Sequence, residues 1–129
     1  MTIDLKYLAY TAMLTAALWI PYVVCQVTNN GFLTPADYVD PTQRPMPLWG
    51  KRADRAYINA VETFAPFAAL VIIAHVSGRA NAVTAFCTMC FFWLRLAHAT
   101  TYLLGIRYLR TLLFNLGFAA VAVIFWEVI

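Results

Sequence analysis

Charge is what this sequence has least of. Asp, Glu, Lys and Arg make up 12% of its 129 residues, about half the share found in a soluble domain. With 63% hydrophobic residues and a mean hydropathy of +0.70, there is too little polar surface to dress a water-soluble fold, and lipid is the expected solvent. Cysteine is scarcer in number, at three residues. Cys25, Cys87 and Cys90 all fall in or beside apolar sequence. The CxxC spacing of Cys87 and Cys90 lies inside a spanning run rather than at an exposed helix start, so it reads as packing and not as a redox or metal pair. No repeat or low-complexity segment interrupts the chain, and no metal-ligand cluster is expected.

What fills the chain instead is apolar sequence in long runs. A spanning helix needs roughly 20 such residues, and four runs qualify, giving predicted helices at about 5–26, 53–76, 81–104 and 108–128. They leave one loop, 28–50, and tight connections near Ser77–Gly78 and Gly105–Ile106. No separate soluble domain fits, so residues 1–129 read as a single all-α domain, a bundle of four transmembrane helices. The first run is longer than an ordinary signal-peptide core and is followed by Cys25-Gln26-Val27-Thr28, which offers no small-x-small cleavage site, so it is read as a retained helix. Four of the six prolines, Pro35, Pro41, Pro45 and Pro47, crowd the loop and predict an extended or turn-rich segment there. Pro21 and Pro66 are expected to bend their helices or free a carbonyl. Trp49 suits an interfacial anchor, whereas mid-helix Trp93 is expected to pack.

The few charges are distributed by side. Arg44, Lys51, Arg52, Arg55, Arg107 and Arg110 flank the first and third connections, against Lys6 and Arg79 on the other side. By the positive-inside rule the 28–50 loop is cytoplasmic and both termini are external, in the periplasm if the membrane is a bacterial inner membrane. Because the cations follow the membrane sides and form no patch, nucleic acid is not an expected partner.

Charged groups inside a span cost at least about 2.5 kcal/mol each on insertion scales. Glu62 and Arg95 are such groups. Arg55, Asn59 and Glu62 are spaced i, i+4, i+7, and Arg95, His98 and Tyr102 are spaced i, i+3, i+7, so each set forms one helical stripe. Both stripes are expected to turn away from lipid and toward each other, with Glu62 and Arg95 pairing at similar depth. Arginines outnumber Glu62 in this cluster, which favours an anionic, carboxylate-bearing ligand and lowers the pKa of a bound thiol. A proton-coupled cation transporter needs the opposite balance.

The two blocks Arg55-Ala-Tyr-Ile-Asn59-Ala-Val-Glu62 and Arg95-Leu-Ala-His98-Ala-Thr-Thr-Tyr102, with Pro66, Gly105 and Arg110-Thr111, resemble the MAPEG family, the membrane-associated proteins of eicosanoid and glutathione metabolism. The resemblance is to its small bacterial members. It implies a homotrimer of four-helix bundles that binds glutathione as cosubstrate between subunits, near the cytoplasmic face. It further implies that Arg55, Asn59, Glu62, Arg95, His98 and Tyr102 hold glutathione, and that Arg110, with Thr111 beside it, stabilises the thiolate. The implied activity is a glutathione-dependent transferase or peroxidase acting on lipophilic electrophiles. The family also contains lipid-binding accessory proteins. Here the inner end of helix 1 carries no arginine, and Thr63 follows the acid, so a non-catalytic lipid-binding or scaffolding trimer stands as the alternative.

Overall fold

A computed structural model of the chain describes residues 1–39 and 44–129; Pro41 and Gln43 of the proline-rich loop lie outside the described residues. Among the described residues six helices follow in order: α1 Ile3–Ala17, α2 Trp19–Asn30, α3 Pro35–Val39, α4 Leu48–Val76, α5 Ala82–Leu104 and α6 Arg107–Val128. Among the described residues four stretches are long and apolar enough to cross a bilayer, namely Ile3–Asn30, Leu48–Val76, Ala82–Leu104 and Arg107–Val128. The first of these is made by α1 and α2 together.

The break between α1 and α2 follows from Pro21. Proline has no N–H to offer the Ala17 carbonyl four residues earlier, and its ring crowds that carbonyl. Helix α1 accordingly stops at Ala17, with the Leu18 N–H shared between the carbonyls of Leu14 at 3.1 Å and Thr15 at 3.4 Å. Pro66 has no such effect: α4 runs on continuously through it. One turn earlier, the Thr63 hydroxyl donates back to the carbonyls of Asn59 at 2.9 Å and Ala60 at 3.2 Å.

The connection between α2 and α4 is shorter than predicted. Helix α2 runs to Asn30 and α4 starts at Leu48, five residues before the predicted start. Pro47, with extended ψ, leads into α4. Gly50 then sits where a Cβ would strike the Cys25 sulfur and the Met46 methyl, so glycine is what lets α4 cross α2 this closely. Within the loop, Pro35 opens α3, the position of a helix where a missing N–H costs nothing. Asp37 closes the turn by accepting from the Thr34 N–H at 2.6 Å and the Thr34 hydroxyl at 2.8 Å.

At the far end of the bundle Asn81 caps α5, accepting from the N–H groups of Val83 and Thr84 at 2.8 and 3.0 Å while the Thr84 hydroxyl accepts from the Asn81 N–H at 2.9 Å. Asn81 also donates to Glu127 at 2.6 Å, tying the start of α5 to the end of α6. Gly105 ends α5 in the left-handed region at φ 75°, and the Arg52 guanidinium packs where its side chain would be.

Helix α5 is the centre of the molecule, packed against α1, α4 and α6. Phe67, Val71, Cys87, Phe91, Ala120 and Ile124 form the core, with Phe67 and Phe91 stacked at 3.9 Å between ring centroids. All three cysteines are free. Trp93 packs on one side only: its ring meets Phe92 edge-on at 5.1 Å, while it is 55% exposed and belongs, with Phe86, Phe118 and Trp126, to the outer, apolar surface. The chain is therefore an integral membrane protein of four spanning segments.

Candidate functional site

Helices α4, α5 and α6 meet near their loop end, where α4 begins, α5 finishes and α6 starts again. Arg95, on the buried face of α5, is 5% exposed and donates from Nη2 to Asn59 Oδ1 of α4 at 2.5 Å. One turn further along α5, His98 is 2% exposed, its ring edge-on to Tyr102 at 5.7 Å and tilted against Phe114 of α6 at 6.2 Å. Its Nδ1 is buried with no hydrogen-bond partner among the described residues. From α6 the Arg110 guanidinium lies over the Tyr102 ring, 4.5 Å from its centroid. This is a cation–π contact that fixes the cation without spending its N–H donors.

These side chains wall a cleft of about 250 Å³, lined by Asn59, His98, Tyr102, Arg110, Thr111 and Phe114. A second crevice of about 170 Å³ continues deeper into the bundle. It is lined by Glu62, Thr63 and Pro66 of α4, Arg95 of α5, and Gly117 and Val121 of α6, among apolar neighbours. Phe114 belongs to both and stands between them. The arrangement sets polar donors at the mouth and an apolar slot beyond, with cations in excess of the lone carboxylate. A thiolate or carboxylate placed beside Arg110 would be stabilised, and water excluded behind it.

Of the residues singled out in the sequence, Asn59, His98, Tyr102, Arg110 and Thr111 share the cleft, and Glu62 and Arg95 share the adjoining crevice. Arg55 is not among them. It lines a separate cleft with Arg44, Met46, Lys51 and Asp54. The expected Glu62–Arg95 ion pair does not form within the chain. Among the described residues the one ion pair is Arg44–Asp37 at 3.8 Å, and Arg95 takes Asn59 instead. Three residues separate Asn59 from Glu62, about 60° around the helix, which turns Asn59 toward α5 and leaves the Glu62 carboxylate on the exposed side.

Two features escaped the sequence reading. Phe114 and Gly117 follow Arg110 at i+4 and i+7, so the helical period alone carried that signal. Arg44 had none: it donates to the carbonyls of Asn30 at 2.5 Å and Gly31 at 3.1 Å across a proline-rich loop and so caps the end of α2.

The profile of the MAPEG family matches residues 7–129. The chain belongs to the MAPEG family. A search among curated proteins returned no match. This family includes glutathione transferases and peroxidases, and the four spanning helices of the chain are those of a MAPEG bundle.

Proposed function

We propose that this MAPEG protein is a glutathione-dependent transferase or peroxidase acting on lipophilic electrophiles, with glutathione as cosubstrate in the Asn59–Arg110 cleft. The observation that carries the reading is the pairing of Arg110, held over Tyr102, with the buried and unpartnered Nδ1 of His98 in one cleft. Such a site offers a fixed cation for a thiolate and an unused polar atom for the peptide that bears it. In this reading Asn59, His98 and Tyr102 line the tripeptide, Glu62 takes its amino group, and Arg95 orients Asn59. Arg55, in its own cleft one turn nearer the loop, acts through the field at the mouth.

The chemistry asked of Arg110 is electrostatic. The bound thiol loses its proton to water, and the guanidinium, with the Thr111 hydroxyl beside it, stabilises the resulting thiolate. The thiolate attacks the electrophilic carbon to form a C–S bond and expel the leaving group, or adds to an activated double bond that then takes a proton from water. The electrophile, dissolved in the bilayer, lodges its apolar part in the deeper crevice, so proximity supplies the rest of the rate.

The size of the cleft supports an oligomer, which the family resemblance makes a homotrimer. Ligand pockets measure roughly 300–1,000 Å³, whereas one chain supplies about 250 Å³ here. A tripeptide needs further wall. Glu62, exposed on a spanning helix, also requires cover other than lipid. A second chain at this face answers both needs. With the cations of the loop end on the cytoplasmic side, the site opens to the cytoplasm, where glutathione is abundant, and both termini lie outside, periplasmic if the membrane is a bacterial inner membrane.

The alternative, a non-catalytic lipid-binding or scaffolding trimer, draws on the apolar lining of the crevice and the uncharged inner end of helix 1. One experiment separates them. Glutathione binding is measured by calorimetry on detergent-purified protein, alongside conjugation of chlorodinitrobenzene. Binding with turnover supports the enzyme, binding without turnover across several electrophiles supports the alternative, and absence of binding overturns the assignment of the cleft.

A further inference from the structure

The cleft that Arg55 lines shares no residue with the Asn59–Arg110 cleft and has its own composition. It encloses about 310 Å³ and is lined by Arg44, Met46, Lys51, Asp54 and Arg55, three cations against one carboxylate. Arg44 is not a mobile surface cation. Its guanidinium is fixed by the carbonyls of Asn30 and Gly31 at 2.5 and 3.1 Å and by Asp37 at 3.8 Å, while Asn29 and Asn30 donate to the Pro45 carbonyl at 3.1 and 2.8 Å and hold the loop down. Arg44 is also a wall of a second cavity. On its other side is a crevice of about 500 Å³, lined by Tyr22, Val23, Val27, Phe32 and Leu33 with Gln26. A pre-ordered guanidinium thus divides a basic cleft from an apolar one.

Depth places both at the membrane boundary. At a rise of about 1.5 Å per residue, α4 is roughly 43 Å long, about 13 Å more than the hydrocarbon core. Lys51, Arg52, Asp54 and Arg55 put that excess in its first two turns. Beside them Leu48 is 63% and Trp49 43% exposed, an apolar and an interfacial side chain at headgroup level. The ligand that matches a fixed phosphate-sized cationic cleft, an adjoining apolar crevice and this depth is an amphiphile with an anionic head.

We propose that this double cavity binds one anionic phospholipid, its phosphate among Arg44, Lys51 and Arg55 and one acyl chain in the crevice behind Arg44. Basic pockets beside spanning helices are suited to such headgroups. The crevice argues for a lipid over a free anion, because inorganic phosphate leaves about 500 Å³ of apolar wall unused. The proposal does not depend on glutathione binding.

Native mass spectrometry of the detergent-purified protein tests it, with phosphatidylglycerol, phosphatidylcholine, glycerol phosphate and inorganic phosphate as probes. The expected result is one phosphatidylglycerol per chain, retained in preference to phosphatidylcholine and to both chainless phosphates. Lys51→Gln should weaken its binding about five-fold, the effect of one cation at an anionic surface. Lys51→Arg should restore it. Arg107→Gln removes an exposed cation from the same end of the bundle but outside both cavities, and should leave binding unchanged. Equal retention of the two phospholipids overturns the site, as does an equal effect of Lys51→Gln and Arg107→Gln, which marks a diffuse field. Phosphate or glycerol phosphate binding as tightly as the lipid overturns the lipid assignment in favour of a free anion.

Discussion

Arg95 and Asn59 are joined by a hydrogen bond of 2.5 Å that links the most buried helix to its neighbour, with the guanidinium on α5 and the amide oxygen on α4. Hydrogen bonds to charged groups are worth about 1.5–3 kcal/mol, and here the alternative for Arg95 is an unpartnered charge in the bundle interior. Asn59→Ala should therefore destabilise the detergent-purified protein by about that amount, and Arg95→Met with Asn59→Leu should recover most of it. Glu62→Gln should couple to Arg95→Met more weakly than Asn59 does, because Glu62 and Arg95 line one crevice without forming an ion pair. Unfolding by denaturant in the absence of glutathione, across the two double-mutant cycles, measures both couplings. A coupling larger for Glu62 than for Asn59 would reinstate the ion pair.

The spans were legible because a bilayer demands about 20 apolar residues, a signal that survives any detail of packing. The stripe logic also located Asn59, Glu62, Arg95, His98 and Tyr102 around one helical junction. It failed for Arg55 for a geometric reason. Arg55, Asn59 and Glu62 lie within about 60° of one another around α4, but the cleft that Arg55 lines is walled by Lys51 and Asp54 of α4 and by Arg44 and Met46 of the loop, and no α5 side chain borders it. Angle is written in the sequence; the neighbour at each height is not. The same limit hid the Arg44 cap, whose partners are 13 and 14 residues away in the chain.

Gly105 combines two constraints. Its φ of 75° is unfavourable by about 1–2 kcal/mol for a residue with a Cβ, and that Cβ would meet the Arg52 guanidinium within 3 Å. Gly105→Ala should lower thermal stability about as much as Gly78→Ala, where φ is 71° and nothing lies within 4 Å, because the Arg52 guanidinium is the end of a flexible side chain and can swing aside. Comparing melting temperatures of the two variants isolates the contact with Arg52 from the backbone term.

The loop carries a pH-sensitive element. Hydrogen bonds from the Thr34 backbone and hydroxyl, helped by Arg44, hold the Asp37 carboxyl below its ordinary value of 3.8. A carboxylate whose pKa is depressed on folding stabilises the fold above its unfolded pKa and loses that contribution as pH falls through the folded one. The α3 turn should thus be intact at neutral pH and loosen as pH drops below about 3.8. Limited proteolysis of the loop should show cleavage rising at acid pH, and Asp37→Asn should show the same cleavage already at neutral pH.

Glu62 and Arg110 should fail in different ways, and their difference is the sharpest test of the proposed chemistry. Arg110 faces the sulfur in the proposed site, so its positive charge acts on the thiolate and on the transition state more than on the bound peptide. Arg110→Ala should leave glutathione affinity within a few fold and reduce conjugation about 10²-fold, the scale of losing one electrostatic stabiliser. Glu62 is proposed to meet the amino group, a contact made equally before and during reaction. Glu62→Gln should therefore weaken glutathione binding and raise KM with kcat little changed. Because that carboxylate is exposed on a spanning helix, the wild-type protein should also run as a trimer in native mass spectrometry across mild detergents. Calorimetry and initial rates on both variants decide the matter. If Glu62→Gln binds glutathione like the wild type, the peptide does not lie where it is proposed to lie, and a monomer under every detergent would remove the shared wall on which the proposed site depends.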